Sequence, residues 1–73
     1  MEKEYYYDKL IFEGEYLNGE RNGKGKEYNT IFNEYEFEGE YLKGKRWNGK
    51  FKAFKYFGEY KGYYINGVEK KEN

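Results

Sequence analysis

At 73 residues this chain is long enough for one small domain, and folding removes only about 60% of the unfolded surface from water at this size. Eleven Tyr, six Phe and one Trp make rings a quarter of the composition, so burial must come from aromatic side chains, whose Tyr hydroxyls need water or a partner. With no Cys, no His and no Ser, Ser-His-Asp, Cys-His and zinc-type centres cannot be assembled.

Fourteen basic and fourteen acidic side chains give zero formal charge, but the distribution is uneven. Residues 1–40 carry eleven acids against five bases, residues 41–58 carry six bases and no acid, and residues 59–73 balance. No apolar run approaches the length of a membrane span, no secretory leader opens the chain, and the absence of Cys suits a reducing compartment. A soluble, cytoplasmic protein is expected, with membrane-peripheral placement as the variant.

Residues 1–10, MEKEYYYDKL, read as a strand that matches the position of Lys26–Tyr28 before the next unit, and so as the second strand of a preceding partial unit. Residues 11–36 form the first full repeat. Phe12, Gly14 and Tyr16 alternate with Glu13, Glu15 and Leu17, the pattern of a half-buried strand. Asn18-Gly19 and Asn22-Gly23 are strong turn dipeptides because both residue types tolerate positive φ. The chain reverses between Leu17 and Lys24, either at Asn18-Gly19 or through a loop ending at Gly23. Lys24–Tyr28 is the returning strand, and a glycine at 25 inside it implies close packing of a ring such as Tyr16 over Gly25 or Gly14.

Residues 29–36 connect the units, and residues 37–55 repeat the alternation with Phe37, Gly39 and Tyr41, 25 residues after the first copy. Gly44 stands where Gly19 stood. After Arg46 the copy drifts: Trp47 reads as an insertion, and Phe51 falls at the place of Gly25. Residues 56–68 are a degraded third repeat, clearest as Tyr60, Gly62, Tyr64, Asn66 and Gly67, with Gly58 and Tyr60 matching Gly39 and Tyr41 as a second alignment. It reads as a capping unit lacking a complete return strand, followed by a frayed tail at residues 69–73. A helical reading fails, because apolar residues recur at two and ten Gly cost about 0.8–1.0 kcal/mol each in a helix relative to Ala. The fold class is all-β: an elongated single-layer antiparallel sheet of consecutive β-hairpins.

The pattern of Phe12, Gly14, Tyr16, Gly19, Gly23 and Gly25, with the wording Glu-Gly-Glu-Tyr-Leu-Asn-Gly-Glu-Arg-Asn-Gly-Lys-Gly over residues 13–25, resembles the MORN (membrane occupation and recognition nexus) repeat in its glycine-, asparagine- and lysine-rich variant. The resemblance covers roughly residues 5–68. It implies a row of antiparallel hairpins with aromatics stacked along one side, serving as a scaffold or interaction module, with no catalytic residues and no cofactor.

Three groups of residues are candidates for function. Phe12, Tyr16, Phe37, Tyr41, Tyr60 and Tyr64 form a repeated ladder that either holds the sheet together or lines a ribbon for a protein partner, or for a second copy of the chain. Lys43, Lys45, Arg46, Trp47, Lys50, Lys52 and Lys55, in the basic aromatic segment 43–57, are a candidate membrane-lipid or polyanion surface; nucleic acid is not the expected partner. The pairs Glu13/Glu15 and Glu38/Glu40 have a spacing that suits acid/base work or a hard cation, but they recur with the structural unit and read as solvated cross-strand partners of Lys24 and Lys26. Gly14, Gly19, Gly23, Gly25, Gly39 and Gly44 are structural. The sequence therefore points to a non-enzymatic, metal-free interaction module.

Overall fold

The computed structural model describes residues 1–31, 34–55 and 58–72, apart from the side chains of Glu34, Phe54 and Lys55. Seven strands follow one another: β1 (Glu2–Tyr6), β2 (Lys9–Leu17), β3 (Glu20–Asn29), β4 (Glu34–Leu42), β5 (Lys45–Lys55), β6 (Gly58–Ile65) and β7 (Val68–Lys71). Every strand pairs antiparallel with its sequence neighbours in one open sheet, order β1 to β7. Its Cα atoms span 37 × 31 × 12 Å. The single-layer hairpin sheet expected from the alternation is present.

Between Leu17 and Lys24 the chain reverses in a two-residue turn. Asn18 (φ 52°) and Gly19 (φ 79°) occupy it, and Leu17 faces Glu20 directly. Positive φ at both positions matches the right-handed twist of the flanking strands. Gly23 is not part of the turn; it sits in a bulge in β3, where Glu15 Oε1 accepts a hydrogen bond from the Lys24 amide at 2.6 Å. Lys43-Gly44 and Asn66-Gly67 repeat the turn. Each later turn docks on the previous unit, Gly44 N donating to Arg21 O at 2.9 Å and Gly67 N to Trp47 O at 2.8 Å.

Four glycines form a row across the sheet: Gly14 opposite Gly25, Gly25 opposite Gly39, Gly39 opposite Gly49. The ring lying on this row in the first unit is Phe12, not Tyr16. A Cβ at Gly25 would stand 2.7 Å from Phe12 Cε1 and 2.8 Å from Tyr41 Cε1, closer than atoms pack. The place of Gly25 in the second unit is taken by Gly49, under Phe37, and not by Phe51. Phe51 stands opposite Phe37, where Glu27 stands opposite Phe12. The sequence alignment slipped because β5 reaches its glycine three residues after Arg46, whereas β3 takes four after Arg21.

Two other expectations change at the ends. Residues 1–10 are broken by a turn at Tyr7 (φ 48°) and Asp8 (φ 66°), so Lys9 and Leu10 belong to β2. The third unit does complete a return strand, β7, which takes up Val68–Lys71. Between units, Asn29 Oδ1 accepts from the Ile31 amide at 2.8 Å; Phe32 and Asn33 lie outside the described residues, as do Tyr56 and Phe57.

Candidate interaction surface

One face of the sheet carries a continuous chain of rings. In order these are Tyr16, Phe12, Tyr41, Phe37, Tyr64, Phe51 and Tyr60, each edge-to-face with the next at centroid separations of 5.2–6.0 Å. Edge-to-face pairs add about 0.5–1.5 kcal/mol to the burial of their area. Strand alternation brings Phe12 and Tyr16, then Phe37, Tyr41 and Phe51, then Tyr60 and Tyr64 to this face, and the glycine row lets the phenylalanines settle onto the backbone.

A layer of charged side chains roofs the ladder. The Arg21 guanidinium lies 4.0 Å from the centroid of Phe12 and that of Arg46 lies 5.1 Å from Phe37, the geometry of a cation–π contact. Glu4 accepts two hydrogen bonds from Arg21, at 2.9 and 2.8 Å. Glu27 accepts two from Arg46, at 3.0 and 2.8 Å, and also faces Arg21 at 3.5 Å. One tyrosine per unit closes each site: Tyr16 donates to Glu4, Tyr41 to Glu27 at 2.6 Å and Tyr64 to Glu69 at 3.1 Å. The order Glu4, Arg21, Glu27, Arg46 alternates sign across the sheet, and bidentate pairs of this kind are the strong ones.

These partners shift the titrations. The Arg21 hydrogen bond holds the Glu4 carboxyl below the usual carboxylate value. Burial alone would push the Glu27 carboxyl up, but Arg46 and Tyr41 outweigh it and the net shift is downward. Burial, then the hydrogen bond to Glu27, pushes the Tyr41 hydroxyl well above its ordinary value.

With this roof in place Phe12 and Phe37 are wholly buried and Tyr41 is 3% exposed. Half of the ladder expected to face a partner is therefore core. Tyr16 is 37% exposed and Tyr60 and Tyr64 are half-buried, so the ladder reaches solvent at its two ends and at Tyr64. The roof went unread in the sequence, although a signal existed: the chain's two arginines each stand nine residues after the Phe they cover. In the third unit Glu69 holds that position after Tyr60.

The other face is a zwitterionic grid. Glu13 stands opposite Lys26, Lys26 opposite Glu38, Glu38 opposite Lys50 and Lys24 opposite Glu40, so three of the four paired carboxylates face lysines as ordinary cross-strand partners, while Glu15 accepts from the Lys24 amide at the bulge. Glu13 also accepts from Tyr28 at 2.6 Å, a bond that pushes that hydroxyl up to about 12. Among the described residues, no group of three or more His, Cys, Asp or Glu is placed to hold a metal ion.

The basic stretch does not form one surface. Arg46 points to the ring face and is engaged by Glu27. Trp47 occupies a bulge in β5 and packs, half-buried, against the turn at Gly67. Lys43 sits in a turn and Lys45 stands opposite Leu42. Lys50 and Lys52 lie on the zwitterionic face with Lys61 directly opposite Lys52, around a depression of about 300 Å³ that Tyr35 and Tyr63 also line. The side chain of Lys55 lies outside the described residues.

Met1, Ile31 and Tyr63 are exposed singly, and two groups of apolar side chains recur in solvent. Tyr5, Tyr6 and Tyr7 are 60%, 60% and 83% exposed at the β1–β2 corner, with Tyr6 and Tyr7 edge-to-face at 4.5 Å. Leu17, Leu42 and Ile65 recur at the last position before each two-residue turn, and all three are exposed. No family model, curated protein or solved structure matches this chain.

Proposed function

We propose that this chain is a non-enzymatic scaffold, a MORN-like array of hairpins that presents apolar and tyrosine side chains to a protein partner or to a second copy of itself. The repeat wording of residues 12–25 supports this reading, as does the engagement of its carboxylates by Arg, Lys and Tyr across the strands. The observation that carries it is the cluster Tyr5, Tyr6 and Tyr7, standing in solvent at one corner of a one-layer sheet, since contiguous exposed rings mark interaction surfaces. Light scattering across a concentration series, with affinity capture by the wild type and by a Tyr5→Ser/Tyr6→Ser/Tyr7→Ser variant, tests it. Self-association or a bound partner that the folded variant loses supports the reading. Two monomers retaining the same proteins refute it.

A second reading, an anionic membrane surface or other polyanion as ligand, draws on the outer-face lysines. Lys50, Lys52 and Lys61 line one depression; Lys52 stands directly opposite Lys61 and over the Tyr35 ring, and Glu59 lies 3.8 Å from Lys61. Binding to anionic vesicles that falls steeply with salt and vanishes in Lys50→Glu/Lys52→Glu supports this reading. Salt-insensitive binding opposes it.

A further inference from the structure

We propose that the zwitterionic face pairs with the same face of a second copy, sheet against sheet, about a two-fold axis parallel to the strands and midway between β4 and β5; this rests on the scaffold reading and gives the second copy its surface. One row of side chains crosses the middle of that face, each directly opposite the next in the strand register: Glu13, Lys26, Glu38, Lys50, Tyr63 and Lys70. Glu38, Lys50, Tyr63 and Lys70 are exposed, and Glu13 and Lys26 are half-buried. The row alternates in sign until β6, which places Tyr63 where β2 and β4 place glutamates. Lys26 therefore lies between two carboxylates, whereas Lys50 has one on its β4 side alone.

Turned end for end, this row is its own complement. About the proposed axis β4 lies over β5 of the second copy, β3 over β6 and β2 over β7. Glu38 then meets Lys50, Glu13 meets Lys70, and Lys26 meets the Tyr63 ring as a cation–π pair, each contact occurring twice. In the next row Glu40 meets Asn48, its own cross-strand neighbour in the other copy. Lys3, which stands on β1 opposite Glu13, falls beyond the second copy's last strand. Centring the axis on β4 instead would set Glu38 on Glu38, Lys26 on Lys50 and Lys3 on Lys70, and an axis across the strands would set every member of the row on itself. Like charges in apposition exclude both arrangements. Two sheets pack about 10 Å apart with their strands within about 30°, a gap that facing Glu and Lys side chains bridge. The Cα atoms spread over 37 × 31 Å, which leaves room for the roughly 800 Å² per partner of a standard interface. Tyr35 and Tyr63, in the depression with Lys50, Lys52 and Lys61, supply its apolar area.

Analytical ultracentrifugation of the full chain over a concentration and salt series tests the pairing. The wild type should dimerise, and its affinity should fall at least about tenfold between about 0.05 and about 0.5 M salt. Lys50→Glu and Glu38→Lys, each checked for fold by circular dichroism, should be monomeric alone and form a one-to-one dimer when mixed, because each supplies the charge that the other lacks. If either fails to fold, Lys70→Glu, which faces only Tyr63 in its own sheet, should still weaken the dimer at least about threefold. Tyr5→Ser/Tyr6→Ser/Tyr7→Ser should keep the dimer, which separates this face from the tyrosine corner. A dimer indifferent to salt and to Lys70→Glu, or no dimer in the mixture of folded charge variants, overturns the face pairing. A dimer lost in the tyrosine variant, or a monomeric wild type that captures an acidic protein through Lys50, overturns it while leaving the scaffold reading standing. A monomeric wild type whose captured proteins survive the loss of the three tyrosines removes both.

Discussion

Replacing Gly25 by Ala is the sharpest test of how this sheet is held together. The new Cβ would stand 2.7 and 2.8 Å from two atoms of the Phe12 ring and 2.8 Å from Tyr41 Cε1. Phe12 is wholly buried beneath Arg21, with Tyr41 against its edge, so it has little room to retreat. Overpacking of this kind costs about 1–3 kcal/mol, against a gain of about 0.5–1 kcal/mol from removing a strand glycine. The net loss is then about 1–2 kcal/mol, a large part of the total of about 4–11 kcal/mol that a domain this size has available. At about 4–8 °C per kcal/mol, Tm should fall by roughly 5–15 °C.

Thermal and urea unfolding followed by far-UV circular dichroism and by the fluorescence of Trp47 measures this, and coincidence of the two probes checks two-state behaviour. Gly19→Asn is the control, since no atom lies within 4 Å of a Cβ there and Asn tolerates the turn's positive φ; it should stay within about 0.5 kcal/mol. Gly25→Ala combined with Phe12→Leu should lose less than the sum of the two, with a coupling above about 0.5 kcal/mol. An unchanged or raised Tm in Gly25→Ala, or strict additivity, would refute the ring-on-glycine account.

Four further outcomes follow from the roof, the opposite face and the turns. Glu27→Gln should destabilise by about 2 kcal/mol, because it weakens charge-assisted bonds from Arg46 and leaves both arginines poorly matched; Glu4→Gln, at the more exposed end of the network, should lose less in the same urea titration. The lowered carboxyl values of Glu4 and Glu27 mean that the unfolded chain takes up protons first in acid, so their contribution is full above the ordinary carboxylate value of 4.5 and is lost as pH falls below it. The raised Tyr28 hydroxyl works in the opposite sense: its contribution is present below 10 and is lost as pH rises from there toward 12, read as delayed tyrosinate absorbance. Finally, Tyr7→Asn/Asp8→Gly should raise Tm by several degrees, since both turn residues have positive φ that Asn-Gly adopts at lower cost; an unchanged or lower Tm would show that Tyr7 makes a compensating contact.

The amino-acid sequence alone carried the repeat, the strand alternation, a reversal between Leu17 and Lys24 and the all-β sheet, because these depend on local φ preference and a period of two; that the reversal is a two-residue turn at Asn18-Gly19, and not a loop ending at Gly23, was settled by the pairing of Leu17 with Glu20. It also placed Phe12, Tyr16, Phe37, Tyr41, Tyr60 and Tyr64 on one face. Which ring lies on which glycine was not local information, since it depends on bulges that offset β3 and β5 differently from their partners; hence Gly49, rather than Phe51, matches Gly25. Whether that ladder faces solvent was likewise decided only when Glu4, Arg21, Glu27 and Arg46, spread over 43 residues of chain, met above it. Long charged side chains pair across strands according to register, and register is a tertiary property. Sheet formation thus turned Phe12 and Phe37 from a prospective binding ribbon into core, drew Arg46 out of the basic stretch, and left Tyr5–Tyr7 in solvent at the β1–β2 corner.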